Sequence, residues 1–169
     1  RSVYFDQMRI PKENILGNVG TGFKQFLKTL TIGRITISAL ALGTASGAYE
    51  LALKYSQERT AFGKKISSFQ GISFKLADMA TQIAASRQLI YHAAWLYDNN
   101  KDVIKDAAIA KLFSSEAAMK ITTEAIQVHG GYGYIEDYHV ERFFRDAKIL
   151  EIGEGTSEVQ RMIIAREIL

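Results

Sequence analysis

The chain of 169 residues has no cysteine, so disulfides and thiolate metal sites are excluded, which permits a reducing compartment without requiring one. Its three histidines, His92, His129 and His139, have no metal-ligand spacing, so no metal is expected. No basic run or stripe breaks the mixture of 21 basic and 18 acidic residues, which argues against nucleic acid as a partner. The most membrane-like stretch, ITISALALGTASGAY, is bounded by Arg34 and Glu50 and falls short of the roughly 20 apolar residues a spanning helix needs, so it reads as a buried helix. No signal-peptide pattern opens the chain, and it holds neither an internal repeat nor a low-complexity segment. GGYG lacks the GxGxxG pattern and follows no strand, which removes a Rossmann reading.

What remains is a composition with 47% hydrophobic residues, enough for one real core. The opening VYFDQMRIPKENILG alternates Val3 and Phe5 with polar neighbours and then meets Pro11, the only proline, as a strand running into a turn. A lone strand is unstable without partners, so residues 1–18 are expected to be the tail of a sheet that lies outside this chain. A first long helix is expected over 21–59, with Phe23, Phe26, Leu30, Ile37, Leu40, Leu51 and Tyr55 at three-four spacing. Gly43 and Gly47 inside it imply close helix packing.

A second helix over 67–99 carries the seam Phe69, Ile72, Leu76, Met79, Ile83, Ile90 and Tyr97, and a third over 102–129 ends at Gly130 and Gly131. A short helix over 138–146 and a last one over 157–169, opened by a capping box of Ser157 and Gln160, complete the set. Short connections between long amphipathic helices favour antiparallel neighbours. The expected fold is all-α: an up-down antiparallel four-helix bundle over 19–169, with an N-terminal strand remnant and a short C-terminal helix.

Glu154 stands between Gly153 and Gly155, just before a helix start, in EIGEGTSEVQR. From spacing alone two readings stay open: a reactive acid that a substrate can approach closely, or a turn whose acid merely sits near a positive helix end. Arg59 reads equally as a helix-end surface cation, Gln127 as a helix-terminal polar residue, and Trp95 and the tyrosines as core or interface.

EGTSEVQR with the following IIAREI closely resembles the C-terminal signature of the acyl-CoA dehydrogenases. ERTAFGKKISSFQ resembles that family's flavin-contact turn, QVHGGYGYIEDYHVERFFRDAKI its glycine loop and short helix, and VYFDQMRIPKENILG the last strand of its middle domain. These four ordered motifs span nearly the whole chain. The resemblance implies that residues 1–18 end a middle β-domain and that 19–169 form the helical C-terminal domain. It implies an FAD enzyme that removes an α-proton from an acyl-CoA thioester while a β-hydride passes to flavin, giving a trans-2-enoyl-CoA.

On that resemblance Glu154 is the catalytic base. A second family geometry places the base directly before the arginine of the first long helix, which here is Gly33 before Arg34; glycine cannot serve, and its missing side chain leaves room for Glu154. Substrate contacts are implied for Thr31, Ile32, Gly33, Arg34 and Gly155. Flavin contacts are implied for Arg59, Phe62, Gln70, Gln127, Val128, His129, Gly130 and Gly131 toward a neighbouring subunit's FAD, and for Thr156, Ser157 and Glu158 toward the flavin of the same subunit. A planar guanidinium such as Arg59 suits a pyrophosphate. The chain departs from the family at Thr31, where many relatives carry aspartate, and at Gly153, where many carry tyrosine; the second departure widens the acyl pocket toward branched or ring-bearing groups. FQGISFKLADMA is similar to short-chain members and implies short to medium acyl chains. Further implications are an electron-transfer flavoprotein as acceptor, a homodimer or homotetramer, a bacterial cytoplasmic or mitochondrial matrix setting, and an isolated chain that is colourless and inactive. An acyl-CoA oxidase and a non-catalytic helical assembly module are the alternatives.

Overall fold

The computed structural model describes residues 2–169, which form five α-helices: α1 (Gly22–Glu58), α2 (Gln70–Asp98), α3 (Ile104–His129), α4 (Val140–Ile152) and α5 (Ser157–Ile168). Between α1 and α2 lies a short antiparallel hairpin, β1 (Thr60–Ala61) and β2 (Lys64–Lys65), turned by Phe62 and Gly63, both at positive φ. The directions alternate. Lys75 near the start of α2 pairs with Glu124 near the end of α3, and His92 near the end of α2 lies 3.6 Å from Asp106 at the start of α3. Glu154, just past the end of α4, lies beside Gly33 in the first half of α1, while Phe143 in the first half of α4 meets Gly47 further along α1.

α3 is the central rod and touches each of the other four helices. Its buried face runs Ala107, Lys111, Ser114, Ser115, Ala118, Thr122 and Ala125, a three-four spacing of small and hydroxyl side chains. The hydroxyls are satisfied within the helix: Ser114, Ser115 and Thr122 each donate to the carbonyl four residues back, at 2.7 to 2.8 Å. Opposite this face α1 buries Ala41, Ala45, Ala48 and Ala52. Alanine loses no rotamer freedom on burial, so two such rows let the backbones approach closely at little entropic cost. Leu76, Met79 and Ile83 of α2 and Val140, Ala147 and Leu150 of α4 close the core.

Several expectations are corrected. Residues 2–11 form no strand, because the described residues hold no partner strand to pair with their backbone. Of the large residues expected to line α1, Phe23 (79%), Phe26 (73%) and Leu40 face outward, while Ile37 and Leu51 pack beside the alanine row that forms the main contact. By length and composition alone α1 is long and apolar enough to cross a bilayer, contrary to the count made from residues 35 to 49, and only 17% of its most apolar stretch is buried, so the expected buried helix is buried mainly along its alanine row. Tyr97, expected in the α2 seam, is 41% exposed. Gly43 has nothing within 4 Å of a Cβ placed on it, so it is not a packing glycine, whereas Gly47 lies against the ring of Phe143. The short fourth helix is 13 residues long and runs to Ile152. The cap of α5 is Thr156, whose hydroxyl accepts from the Val159 amide at 3.4 Å; Ser157 is the first helical residue, and Gln160 turns away from the cap. The hairpin was not expected as strands.

Candidate active site

The turn between α4 and α5 brings its acid forward by backbone geometry. Gly153 is extended (φ −62°, ψ 152°), Glu154 takes φ +57° and Gly155 φ +94°, and Thr156 is extended again before α5 begins. Positive φ costs a residue with a Cβ about 1 kcal/mol or more, so Glu154 occupies a position that favours glycine. Gly155 needs its missing side chain as well, because a Cβ there would meet Gln160 Nε2 at 2.8 Å.

The turn delivers the Glu154 carboxylate onto the backbone of α1 at Gly33. A methyl group on Gly33 would lie 2.9 Å from Cδ of Glu154 and overlap an oxygen of its carboxylate. Next to it Arg34 is only 7% exposed. Burial pushes the Arg34 guanidinium below its ordinary value, the Glu154 charge opposes that shift, and Arg166 adds to it. Among the described residues Glu154 forms no ion pair, so its carboxylate feels the arginine without being tied to it. The acid also lies between the C-terminus of α4 and the N-terminus of α5, whose positive end favours negative charge.

Two buried side chains hold the turn from below. Lys111 of α3 is fully buried and donates from Nζ to the carbonyls of Glu151 (3.1 Å) and Gly155 (2.7 Å). Gln160 of α5, also fully buried, donates from Nε2 to the carbonyls of Gly155 (2.8 Å) and Glu154 (3.3 Å). Lys111 was not singled out from sequence, and Gln160 only as half of a capping box. The available signal was phase: Lys111 falls four residues from Ala107 and four from Ser115, inside the buried stripe rather than on a solvated face.

The residues expected to bind substrate divide between two places. Thr31, Ile32 and Arg34 line a groove of about 940 Å³ with Ile163 and Arg166 of α5 and the α2–α3 connection. Gly33 and Gly155 instead bracket Glu154. Four consecutive helical residues cannot share one face, since each is turned 100° from the last.

The residues expected to hold flavin also form two groups. Arg59, Phe62, Gln127, Val128, His129, Gly130 and Gly131 line a mostly apolar groove of about 700 Å³ at the far end of α1 and α3. Arg59 stands over the Tyr132 ring at 5.5 Å, and Phe62 is 95% exposed. Val128 and His129 border this groove but are largely spent on the core: His129 stacks on Tyr55 with ring centres 4.3 Å apart and donates from Nδ1 to the Ala125 carbonyl at 2.8 Å. Gln70, the first residue of α2, is exposed and does not line the groove. Thr156, Ser157 and Glu158 lie beside Glu154 at the start of α5. The Ser157 hydroxyl is buried and has no partner among the described residues, as does Arg34 Nε. Glu158 is held below its ordinary carboxylate range, first by its own backbone amide and then by Thr156. Along α3, from Lys111 to His129, the two groups are separated by about 27 Å at the helical rise of 1.5 Å per residue.

Comparison with known proteins shows the family of the chain. The family model "Acyl-CoA dehydrogenase, C-terminal domain" matches residues 20–169. The chain belongs to the acyl-CoA dehydrogenase family. It is 54% identical over 167 residues to the probable acyl-CoA dehydrogenase YngJ of Bacillus subtilis, covering 99% of this chain and 44% of that protein. Among solved structures it is similar to butyryl-CoA dehydrogenase from Megasphaera elsdenii, with a TM-score of 0.93 and 52% identity over 94% of this chain and 42% of the other. It is also similar to PigA, solved with FAD and proline, with a TM-score of 0.93 and 31% identity over 97% of this chain and 43% of that one. The chain therefore spans less than half the length of these relatives.

Proposed function

We propose that this chain is the helical part of an FAD-dependent acyl-CoA dehydrogenase, in which Glu154 is the base that takes the α-proton of an acyl-CoA thioester. The observation that carries the reading is the seat of the Glu154 carboxylate: laid on the bare backbone of Gly33, beside a buried arginine and outside any ion pair. A thioester α-carbon can approach a carboxylate that no salt bridge occupies, and an entering acyl chain expels the water that would otherwise solvate them. A weakly acidic C–H demands both.

Glu154 accepts the α-proton on a carboxylate oxygen and becomes a neutral acid, while the electron pair of the broken C–H bond forms the Cα–Cβ double bond. FAD, when bound, supplies the acceptor for the hydride that leaves Cβ. Arg34 stabilises the carboxylate before the transfer, and the absence of a side chain at Gly33 keeps the carboxylate's seat open. Gly153, where a Cβ would meet only the Ile149 carbonyl at 3.3 Å, supports room for branched or ring-bearing acyl groups, and the likeness of FQGISFKLADMA to short-chain members supports short to medium chains.

The residues fit a flavin dinucleotide in two ways. The orphaned Ser157 hydroxyl and the amides at the start of α5 offer donors next to the base. The distal groove offers apolar walls, the Arg59 fork and the glycine-lined end of α3. Their separation along α3 supports the reading that they serve two different flavins, one in each subunit of a homodimer or of a homotetramer. The exposed Phe23, Phe26 and Phe62 support cover by a partner surface. The match limits of 20–169 support residues 1–18 as the end of a middle β-domain, without which the isolated chain holds no flavin. The acceptor is read as an electron-transfer flavoprotein and the setting as a bacterial cytoplasm or mitochondrial matrix.

The test uses the full-length protein with a panel of acyl-CoA thioesters, following flavin bleaching and peroxide. Glu154→Gln is expected to slow bleaching by about 10²- to 10⁴-fold, the usual worth of a positioned base. Unchanged bleaching would exclude Glu154 as the base, stoichiometric peroxide from the wild type would identify an oxidase, and no bleaching by any thioester would leave a structural module.

A further inference from the structure

Lys111 is the largest fully buried side chain of the fold, and nothing in the reaction scheme above employs it. A lysine inside a bundle loses its hydration, which burial registers by pushing its ammonium below the ordinary value, with Glu151 the strongest opposing charge. Such a residue is costly on a buried helix face otherwise built mostly of alanine and small hydroxyls. Its reach is long: from α3 it crosses 40 and 44 residues of sequence to two carbonyls on either side of Glu154.

We propose that Lys111 is a positioning residue for proton abstraction, tying the last turn of α4 and the carbonyl after Glu154 to the central rod and so fixing the carboxylate over Gly33. This inference rests on the reading of Glu154 as the base. The turn needs such a tether because Glu154 and Gly155 both stand at positive φ, and a non-glycine residue leaves that region unless its surroundings hold it there. The Glu151 carbonyl belongs to the last turn of α4, where backbone acceptors lack helical partners and a cation is favoured. The Gly155 carbonyl takes a second donor from Gln160, which also reaches the Glu154 carbonyl. Three carbonyls that bracket the base are thus held by two fully buried side chains from two helices. Neither side chain touches the carboxylate itself, so both act through the backbone that carries it.

The experiment uses the full-length flavin-loaded enzyme and butyryl-CoA as probe, measuring flavin bleaching per bound FAD in the absence of oxygen. Lys111→Met keeps the stem and volume but removes the donors. It is expected to slow bleaching per bound flavin by about 10- to 100-fold, the scale of a misplaced reacting group, while butyryl-CoA affinity changes less than about twofold. A wild-type rate per bound flavin, with any lost activity tracking lost FAD content, would overturn the proposal and leave Lys111 a purely structural residue. Gln160→Met removes the second tether; if Lys111→Met does not retain flavin, this variant decides, a slowed rate per flavin supporting the shared tether and a wild-type rate overturning it. Glu154→Gln is run alongside: full activity in that variant removes the base itself, whereas its loss together with a full rate in Lys111→Met removes only the tether.

Discussion

Gly33 and Glu154, 121 positions apart, fit together by subtraction: the side chain missing from one is the space occupied by the carboxylate of the other. The backbone of α1 is fixed by its helix and the Cα of Glu154 by the turn between α4 and α5, so the carboxylate cannot retreat without leaving its seat.

Gly33→Ala is therefore expected to displace the carboxylate rather than unfold the helix, because alanine gains up to about 1 kcal/mol over glycine in a helix interior. In the full-length protein the bleaching rate with butyryl-CoA should fall by about 10²-fold while the Tm stays level or rises. A fall in both would show that the contact is mainly a packing contact.

Gly43 and Gly47 should respond in opposite directions although they sit one helical turn apart. Gly43 opens to free space, so Gly43→Ala is expected to stabilise the protein by about 0.5–1 kcal/mol. A Cβ at Gly47 would meet the Phe143 ring at 2.8 and 3.0 Å, and Gly47→Val is expected to destabilise by about 1–3 kcal/mol through overpacking. Denaturant midpoints of the two variants check the pair.

His129 gives the fold an acid-sensitive point. Burial holds its imidazole below the ordinary value, partly opposed by the hydrogen bond to the Ala125 carbonyl. Below a pH of about 6.5 the unfolded chain takes up a proton that the folded chain still refuses, so the unfolded state binds more protons and stability falls with falling pH. The contribution is complete above that pH and is lost toward the lower folded-state value. The acid limb of a Tm-against-pH curve should flatten in His129→Phe, which keeps the stack on Tyr55.

The elements whose burial follows from large side chains were legible in the sequence. The α2 row Leu76, Met79, Ile83 and Ile90 is buried as its spacing requires. The packing face of α1 was not, because alanine carries too little hydrophobic contrast to mark a stripe, while Phe23 and Phe26 mark one that this chain leaves open. Glu154 stood out through its flanking glycines, which left its role open, and Gly33 entered only through the family resemblance, as the residue before Arg34. Lys111 did not, since a lone lysine on a helix ordinarily points to solvent; only its phase with Ala107 and Ala118 sets it apart. The hairpin at residues 60 to 65 is too short to show a two-residue alternation, and the cap of α5 shifted by one residue because Thr156 and Ser157 are chemically interchangeable in that role.

α3 carries Lys111 toward one end and His129 at the other, on a single unbroken helix with no proline to absorb an error. It works as a ruler. Any slip of that rod along its own axis would misregister both ends by the same amount, so a substitution deep in its alanine face, distant from every reacting group, would disturb the proton-transfer turn and the distal groove together.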